Sequence, residues 1–126
     1  MINLYSYRFW ILILYISLLI CNSLFTFVNP IYFWKYDKLI HFAEYFILGF
    51  LLFHLLYESE FSREKLMYYI LFISLIPISD EFAQNFSDLW GVSRVPSIYD
   101  ALADYLGCYS GCFFYFLTNK VYMELV

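Results

Sequence analysis

The sequence predicts an all-α integral membrane protein, built as a bundle of four transmembrane helices. Hydrophobic residues make up 63% of the 126 positions and charged residues 14%, whereas soluble domains carry about 25% charged residues. Apolar runs of about the length that crosses a bilayer recur along the chain, separated by short polar segments. The net charge is -4 and no basic cluster is present, which argues against nucleic acid as a partner.

The first two helices are predicted at residues 9–28 and 38–57. The first is an uninterrupted apolar run, and the pair Asn29-Pro30 is expected to stop it. The aromatic residues at 32–36 then suit a membrane interface. Asp37 is interpreted as the N-cap of the second helix, whose polar residues are concentrated in its first two turns. One end of this helix is therefore expected to contact water.

The third helix is predicted at 63–85, after a short polar loop that makes it an antiparallel neighbour of the second helix. Pro77 lies inside it and favours a kink, because proline cannot donate a backbone hydrogen bond to the preceding turn. Residues 86–95 lack sustained periodicity, and we interpret them as a short interfacial loop.

The fourth helix is predicted at 97–118. Ser97 is interpreted as its N-cap rather than as a nucleophile, with Asp100 completing a capping box. Gly107 and Gly111 form a Gly-x-x-x-Gly pattern, which lets two membrane helices approach closely. The tail that follows is polar enough to leave the membrane, and the whole chain, 1–126, is predicted to be a single membrane domain.

Acidic residues are found at one end of three predicted helices. In the third helix, Asp80, Glu81 and Gln84 share about one face, because they are three or four positions apart. A charged group costs at least a few kcal/mol at membrane depth, so this face should point inward. Similar polar stripes are present on two other helices. The stripe on the second helix contains Asp37, His41, Glu44 and Tyr45, and that on the fourth contains Asp100 and Asp104.

Helix parity predicts that these polar ends meet. In a bundle of four spans, the connection between helices one and two lies on the same membrane side as that between helices three and four. The start of helix two, the end of helix three and the start of helix four therefore converge. The candidate site residues at this end are Asp37, Lys38, His41, Glu44, Tyr45, Asp80, Glu81, Gln84, Arg94, Ser97, Asp100 and Asp104.

The predicted site carries an excess of negative charge. Its six acids face three bases, Lys35, Lys38 and Arg94, with His41 able to contribute when protonated. Burial makes this imbalance costly, so protonated carboxylates, a bound cation or penetrating water must compensate. Carboxylates alone would suit Mg²⁺ or Ca²⁺, and His41 with two carboxylates would suit Zn²⁺ or Mn²⁺. A divalent cation is therefore possible. Because no compact metal motif such as H-E-x-x-H is present, the sequence leaves the cofactor open.

The orientation in the membrane is predicted from positive charges near the ends of the helices. On the side of the termini these are Arg8, Arg63, Lys65 and Lys120, and on the other side they are Lys35, Lys38 and Arg94. With Lys38 and Arg94 set aside as candidate site residues, four charges face one. The positive-inside rule then places both termini in the cytoplasm and the polar site on the outer face of the cytoplasmic membrane.

Three segments resemble the signature blocks of the VanZ-like membrane protein family. They are Asp37-Lys38-Leu39-Ile40-His41-Phe42-Ala43-Glu44-Tyr45, Asp80-Glu81-Phe82-Ala83-Gln84, and Arg94-Val95-Pro96-Ser97-Ile98-Tyr99-Asp100 with Gly107 and Gly111. The resemblance covers 37–111 and implies a small membrane protein of four helices. It also implies a link to glycopeptide resistance, since the founding member is associated with low-level teicoplanin resistance. This chain has Val92-Ser93 where the family usually has Pro-Gly, and Asp104 where it usually has Asn, which makes the site more acidic.

Two functions fit these residues. In the first, the site binds and acts on a cell-envelope component, such as a membrane lipid head group or a lipid-linked cell-wall precursor. Lys38 and Arg94 would hold a phosphate, while His41 with Asp80 or Glu81 would act as acid and base. In the second, the protein is a non-catalytic scaffold or binds a lipid or partner protein, and its polar network is structural. The sequence leaves open whether the protein is an enzyme and whether it forms oligomers.

The remaining candidates are expected to bind the ligand or to support the site. They are Asp37, Glu44, Tyr45, Gln84, Ser97, Asp100 and Asp104. For Asp37 and Asp100, capping a helix is an equally good explanation.

Overall fold

The computed structural model describes residues 4–24, 30–58, 63–86, 89 and 97–125. In these residues the chain forms four α-helices, which confirms the predicted all-helical class. In chain order they are α1 (Leu4–Leu24), α2 (Pro30–Glu58), α3 (Arg63–Gln84) and α4 (Ile98–Leu125). Most of the predicted interfacial loop at 86–95 lies outside the described residues.

The start of α2 differs from the prediction. Pro30 is the first residue of the helix, and Asp37 lies inside the helix, so the predicted start at 38 and the predicted N-cap at Asp37 are both wrong. Proline is favoured at the first helical position, because its missing N–H would be unbonded there anyway and its φ is already helical. The aromatic segment 32–36 is consequently part of α2.

The other three helices differ from the prediction mainly at their ends. α3 agrees with it to within one residue and contains Pro77. α1 covers Leu4–Leu24 rather than 9–28, and residues 25–28 lie outside the described part of the chain. α4 continues to Leu125, so the predicted end of the fourth helix at 118 was wrong. No proline or glycine follows Gly111 in the sequence to end the helix.

α2 and α4 run parallel to each other, and their contact organises the bundle. Three polar contacts join residues at separations of 62, 63 and 61 positions, namely Lys38–Asp100, His41–Asp104 and His54–Tyr115. A nearly constant separation is what two parallel helices produce when each turn of one faces the corresponding turn of the other. The starts of α2 and α4 therefore lie at the same end of the bundle.

Glycines allow the backbones of α2 and α4 to touch. A Cβ atom added at Gly107 or Gly111 would overlap a backbone carbonyl oxygen of α2, and one added at Gly49 would overlap the carbonyl oxygen of Cys108. The predicted close approach at the Gly-x-x-x-Gly pattern is confirmed. Gly49 contributes a matching small residue from α2, which the sequence analysis did not anticipate.

α1 and α3 pack against this central pair. The buried apolar core of the described residues includes Leu12, Leu19, Leu48, Leu52, Leu55 and Ile73. Tyr105 of α4 also donates a hydrogen bond to the backbone carbonyl of Ser74 at 2.7 Å. Ser74 lies in the turn of α3 that precedes Pro77, and Pro77 has no N–H to donate to that turn. A side chain of α4 therefore holds α3 beside its proline.

Two helical segments among the described residues, Tyr36–Leu55 and Glu64–Gln84, are long and apolar enough to cross a membrane, and α1 adds a shorter apolar segment, Tyr7–Ser23. Much of the outer surface is also apolar. Large exposed side chains on α3 and α4 include Met67, Leu71, Leu75, Ile78, Phe82, Leu106, Phe113 and Phe116. Extended apolar surfaces of this kind mark contact with lipid or with another protein.

Candidate functional site

The polar ends of α2, α3 and α4 meet at one end of the bundle. We call this group the polar cluster, and its described members are Asp37, Lys38, His41, Glu44, Tyr45, Asp80, Glu81, Gln84, Ser97, Asp100 and Asp104. Side-chain contacts join α2 to α4, and a carboxylate of α3 bonds to the first residues of α4. The structure thus brings together the three polar stripes that helix parity placed at one end.

An ion-pair group around Lys38 forms the outer part of the polar cluster. The ammonium group contacts the carboxylate of Asp100 and lies 3.0 Å from Asp37 Oδ2. The Asp100 side chain is buried, whereas half of the Lys38 side chain is exposed. Lys38 therefore neutralises two acids while remaining accessible from outside the bundle.

His41 lies deeper, between two carboxylates. Its Nδ1 atom is 2.8 Å from Asp104 Oδ1, and its Nε2 atom is 3.8 Å from Asp37 Oδ1. The His41 and Asp104 side chains are buried, with 6% and 0% of their surfaces exposed. The imidazole is therefore held by α4 on one side and faces an acid of its own helix on the other.

The second oxygen of Asp104 is exceptional among the polar atoms of the cluster. Oδ2 is buried and has no hydrogen-bond partner within the described part of the chain. A buried polar group that lacks a partner costs about 1–3 kcal/mol, and more when it is charged. The Asp104 carboxylate is consequently satisfied on the side of His41 only.

Glu81 joins the end of α3 to the start of α4. Its Oε2 atom accepts a hydrogen bond of 2.8 Å from the backbone N–H of Ser97. Ser97 Oγ accepts one of 3.2 Å from the backbone N–H of Tyr99, which confirms Ser97 as the N-cap. The prediction that Asp100 completes the capping box was wrong, because the Asp100 carboxylate forms an ion pair with Lys38 instead. Glu81 supplies the missing carboxylate from another helix.

Asp80 and Gln84 complete the α3 side of the cluster. The Asp80 carboxylate lies near the Tyr45 hydroxyl, and the Tyr45 side chain is almost fully buried. Gln84 is also buried, with its Nε2 atom 3.4 Å from Glu81 Oε1. The face that the sequence predicted to point inward therefore carries an acid near a buried tyrosine, an acid that caps α4 and a buried amide.

Glu44 is directed toward α1 instead of His41. Its Oε1 atom accepts a hydrogen bond of 2.6 Å from Asn22 Nδ2, and its backbone carbonyl accepts one of 2.7 Å from the Tyr15 hydroxyl. The sequence analysis missed both α1 residues. Asn22 could have been found, because it is a polar residue in the last turn of α1 and parity places that end beside the start of α2.

A family model described as VanZ/LLP1 matches residues 2–119, which is nearly the whole chain. The chain belongs to the VanZ/LLP1 family. This finding confirms the resemblance seen in the three signature blocks. No curated protein and no solved structure matches the chain.

In this VanZ/LLP1 member, the signature blocks on α2, α3 and α4 contribute most of the polar cluster. One signature residue, Arg94, lies outside the described residues, so its role in binding phosphate stays a prediction. Among the described members of the cluster, six acids face Lys38 and His41 as the basic groups. Acidic groups therefore outnumber basic groups in the described part of the cluster.

Two groups of three residues in the cluster could hold a metal ion. The first is Asp37, His41 and Asp100, and the second is His41, Glu81 and Asp104. In each, one ligand atom from every residue lies within 4.8 Å of the others. The second group also contains His41 and Glu81, two of the three residues predicted to act as acid and base. The third, Asp80, belongs to neither group and lies near Tyr45.

Proposed function

We propose that this VanZ/LLP1 protein is an integral protein of the cell envelope whose polar cluster binds, and acts on, the phosphate-bearing head group of a membrane lipid. A lipid-linked cell-wall precursor is the ligand that fits the family's link to teicoplanin resistance. The observation that carries the proposal is the meeting of charged side chains from α2, α3 and α4 at one end of an otherwise apolar bundle. Charged groups so placed in apolar surroundings usually serve function.

Membrane insertion is supported by the apolar segments Tyr36–Leu55 and Glu64–Gln84 and by the exposed apolar surface of α3 and α4. The proposed arrangement has both termini in the cytoplasm and the polar cluster on the outer face. It follows from the distribution of positive charges near the helix ends. A head group of the outer leaflet would then reach the cluster without crossing the bilayer.

Within the proposed site, Lys38 is the group that meets the head group first. Its side chain is half exposed, and its ammonium group is the cationic group at the outer end of the described cluster, where it could form a charge-assisted contact with a phosphate. His41 lies behind it, with Glu81 close enough to share one ligand site. His41 would exchange a proton with the bound head group, and Glu81 would balance the resulting charge.

A second function is favoured by one observation. Most polar groups of the cluster are already bonded within the bundle, including Lys38 to Asp100, Glu81 to Ser97 and Glu44 to Asn22. A network so largely satisfied can serve as the structural centre of a non-catalytic scaffold that binds lipid or a partner protein. The two functions differ in whether the head group is chemically changed.

Binding of a lipid-linked precursor tests the proposal. Full-length protein in detergent would be mixed with lipid II, with phosphatidylglycerol and with phosphatidylcholine, and bound lipid would be counted by native mass spectrometry. We expect Lys38→Gln to weaken binding of the anionic lipids by about tenfold, the effect of losing one charge-assisted contact.

The matched control is Lys65→Gln, which removes the same charge at the opposite end of the bundle. The double variant Lys38→Gln, Asp100→Asn removes both members of the ion pair and separates loss of the phosphate contact from exposure of an unpaired acid. Equal binding by wild type and both Lys38 variants would refute the proposed head-group site. Mass change of the bound precursor over time would distinguish the enzyme from the scaffold.

A further inference from the structure

We propose that His41, Glu81 and Asp104 form a binding site for a divalent transition-metal ion, Zn²⁺ or Mn²⁺. The three residues come from α2, α3 and α4, and one ligand atom from each lies within 4.8 Å of the other two. Ligand atoms on one such ion stand at most about 4.4 Å apart, given metal–ligand distances of about 2.0–2.2 Å. Small side-chain rotations therefore suffice to close the three groups around an ion.

The orphaned oxygen of Asp104 points independently to a ligand. Asp104 is fully buried, and its Oδ2 atom has no hydrogen-bond partner among the described residues. Protonation would not remove the problem, since it would replace a buried acceptor lacking a donor by a buried donor lacking an acceptor. A metal ion bound to this carboxylate would satisfy it directly.

The charges at the site fit a divalent ion. Neutral His41 and ionised Glu81 and Asp104 together carry two negative charges, which a divalent ion balances. An imidazole nitrogen with two carboxylates suits Zn²⁺ or Mn²⁺ better than Mg²⁺ or Ca²⁺, which prefer oxygen ligands alone. Three protein ligands also leave a coordination position open for water or for an oxygen of a ligand.

The neighbouring residues leave the required ligand atoms available. Glu81 uses Oε2 to cap α4, and its Oε1 atom makes only a long contact of 3.4 Å with Gln84. His41 Nδ1 lies 2.8 Å from Asp104 Oδ1, so an ion bound to both residues would take the place of the proton in that contact, while Asp37 lies on the Nε2 side of the ring at 3.8 Å. A carboxylate on the far side of a ligating imidazole is the usual arrangement for fixing the orientation of the ring.

Asp37, His41 and Asp100 form the competing group, and Lys38 makes it the weaker candidate. The Lys38 ammonium group is paired with both of its acids, so a cation already lies between them. Because His41 belongs to both groups, one ion bound through His41 would also reduce the affinity of the other position for a second ion. The group around Asp104 is therefore the one we assign.

Metal binding by the purified full-length protein tests this assignment. Protein in detergent would be treated with EDTA, dialysed, and titrated separately with Zn²⁺, Mn²⁺ and Mg²⁺ by calorimetry, with bound metal measured by elemental analysis. We expect one Zn²⁺ or Mn²⁺ per chain and little binding of Mg²⁺. Asp104→Asn and His41→Gln should weaken binding by more than the roughly 10–100-fold cost of disturbing a residue that only supports a ligand.

Asp80→Asn is the matched control, because it removes an acid of the same cluster that lies outside the assigned group. Failure of wild-type protein to bind either ion would overturn the inference, as would an equal loss in the Asp80 and Asp104 variants. Binding of Co²⁺ in place of Zn²⁺ or Mn²⁺ checks the ligands without relying on affinity. The visible spectrum of the protein with bound Co²⁺ should change when His41 is replaced.

The metal site goes beyond the proposed lipid function, and the two can fail separately. Metal binding by wild-type protein that does not bind lipid II would leave the site standing and refute the lipid proposal. Lipid binding that is unchanged by Lys38→Gln, in protein shown to bind metal, would have the same meaning. Lipid binding by a protein that binds no metal would refute the metal site and leave the lipid proposal standing.

Discussion

The carboxylate of Glu81 performs a task that is usually carried out within a single helix. In a capping box, the side chain three residues after the N-cap bonds back to the backbone N–H of the cap. Here that N–H, on Ser97, is bonded by a residue of α3, while Asp100 pairs with Lys38. The start of α4 is consequently fixed by α3 and α2 together, and the polar cluster is part of what orders the helix.

Replacing Glu81 should reveal this role. Glu81→Gln keeps an oxygen that can accept the hydrogen bond from Ser97, so we expect the free energy of unfolding to fall by less than about 1 kcal/mol. Glu81→Ala removes the acceptor and should cost about 1–2 kcal/mol. Denaturant unfolding of the metal-free protein in detergent measures both. Equal losses in the two variants would show that the Ser97 contact does not contribute to stability.

Residue types identified most members of the polar cluster, yet they did not determine the pairings. Asp100 was the predicted partner of Ser97 in a capping box, but in three dimensions Asp100 pairs with Lys38 and Glu81 bonds to Ser97. Glu44 lay on the predicted stripe with His41 but bonds to Asn22 of α1. Such choices depend on the rotation of each helix about its axis, and a difference of one position, about 100°, changes the neighbour.

At the scale of the helices, the parallel pair α2 and α4 determines where the site forms. Gly107 and Gly111 let α4 approach the backbone of α2, and Gly49 does the same in the other direction. The contact begins one turn below Asp104 and continues along the bundle. The close fit of apolar turns therefore holds the polar turns above it at bonding distance.

Enlarging one glycine should separate the two helices. A Cβ at Gly111 would overlap the carbonyl oxygen of Phe46, and backbone atoms cannot rotate away as a side chain can. We expect Gly111→Ala to destabilise the protein by about 1–3 kcal/mol, the usual cost of overpacking. Unfolding in detergent measures the change. Ser110→Ala, a neighbouring position that gains no atom, is the control, and an equal effect there would contradict the packing argument.

The helix ends were predicted less well than the helices themselves, and Pro30 shows why. Proline both interrupts a helix that reaches it and begins a helix that follows it, so its position alone does not distinguish the two outcomes. The same ambiguity made Asp37 look like a cap, although it lies inside α2. The end of α4 was misplaced for another reason, since polar residues after 118 do not by themselves terminate a helix.

For the whole molecule, the sequence predicted the arrangement of helix ends because parity needs only the number of helices. The part of the chain that the structure describes forms four helices, and the polar ends of α2, α3 and α4 meet as expected. The family follows from the match over residues 2–119. The direction of insertion does not follow from parity. It depends on a few loop charges and is a property of the protein in its membrane.

Chemical labelling in intact cells tests that direction. In a variant whose native cysteines are replaced, Ser93→Cys should react with a membrane-impermeant maleimide, because its loop is predicted to face outward. Glu64→Cys, at the opposite end of the bundle, should react only after the cells are opened. The reverse pattern would place the polar cluster in the cytoplasm. Labelling of both positions in denatured protein controls for expression.

The acids and the glycines of α4 each repeat after four residues, which is close to one turn. If α4 slid by that distance along α2, Lys38 would meet Asp104 and a glycine would again face the α2 backbone. His41, however, would face Cys108, and Asp100 would lose its partner. Tyr115 would also take the place of Gly111 against the α2 backbone, where even a Cβ atom overlaps a carbonyl oxygen. The glycines and the contact of His41 with Asp104 therefore select the same alignment of the two helices, so the polar cluster and the close packing of the apolar turns support each other.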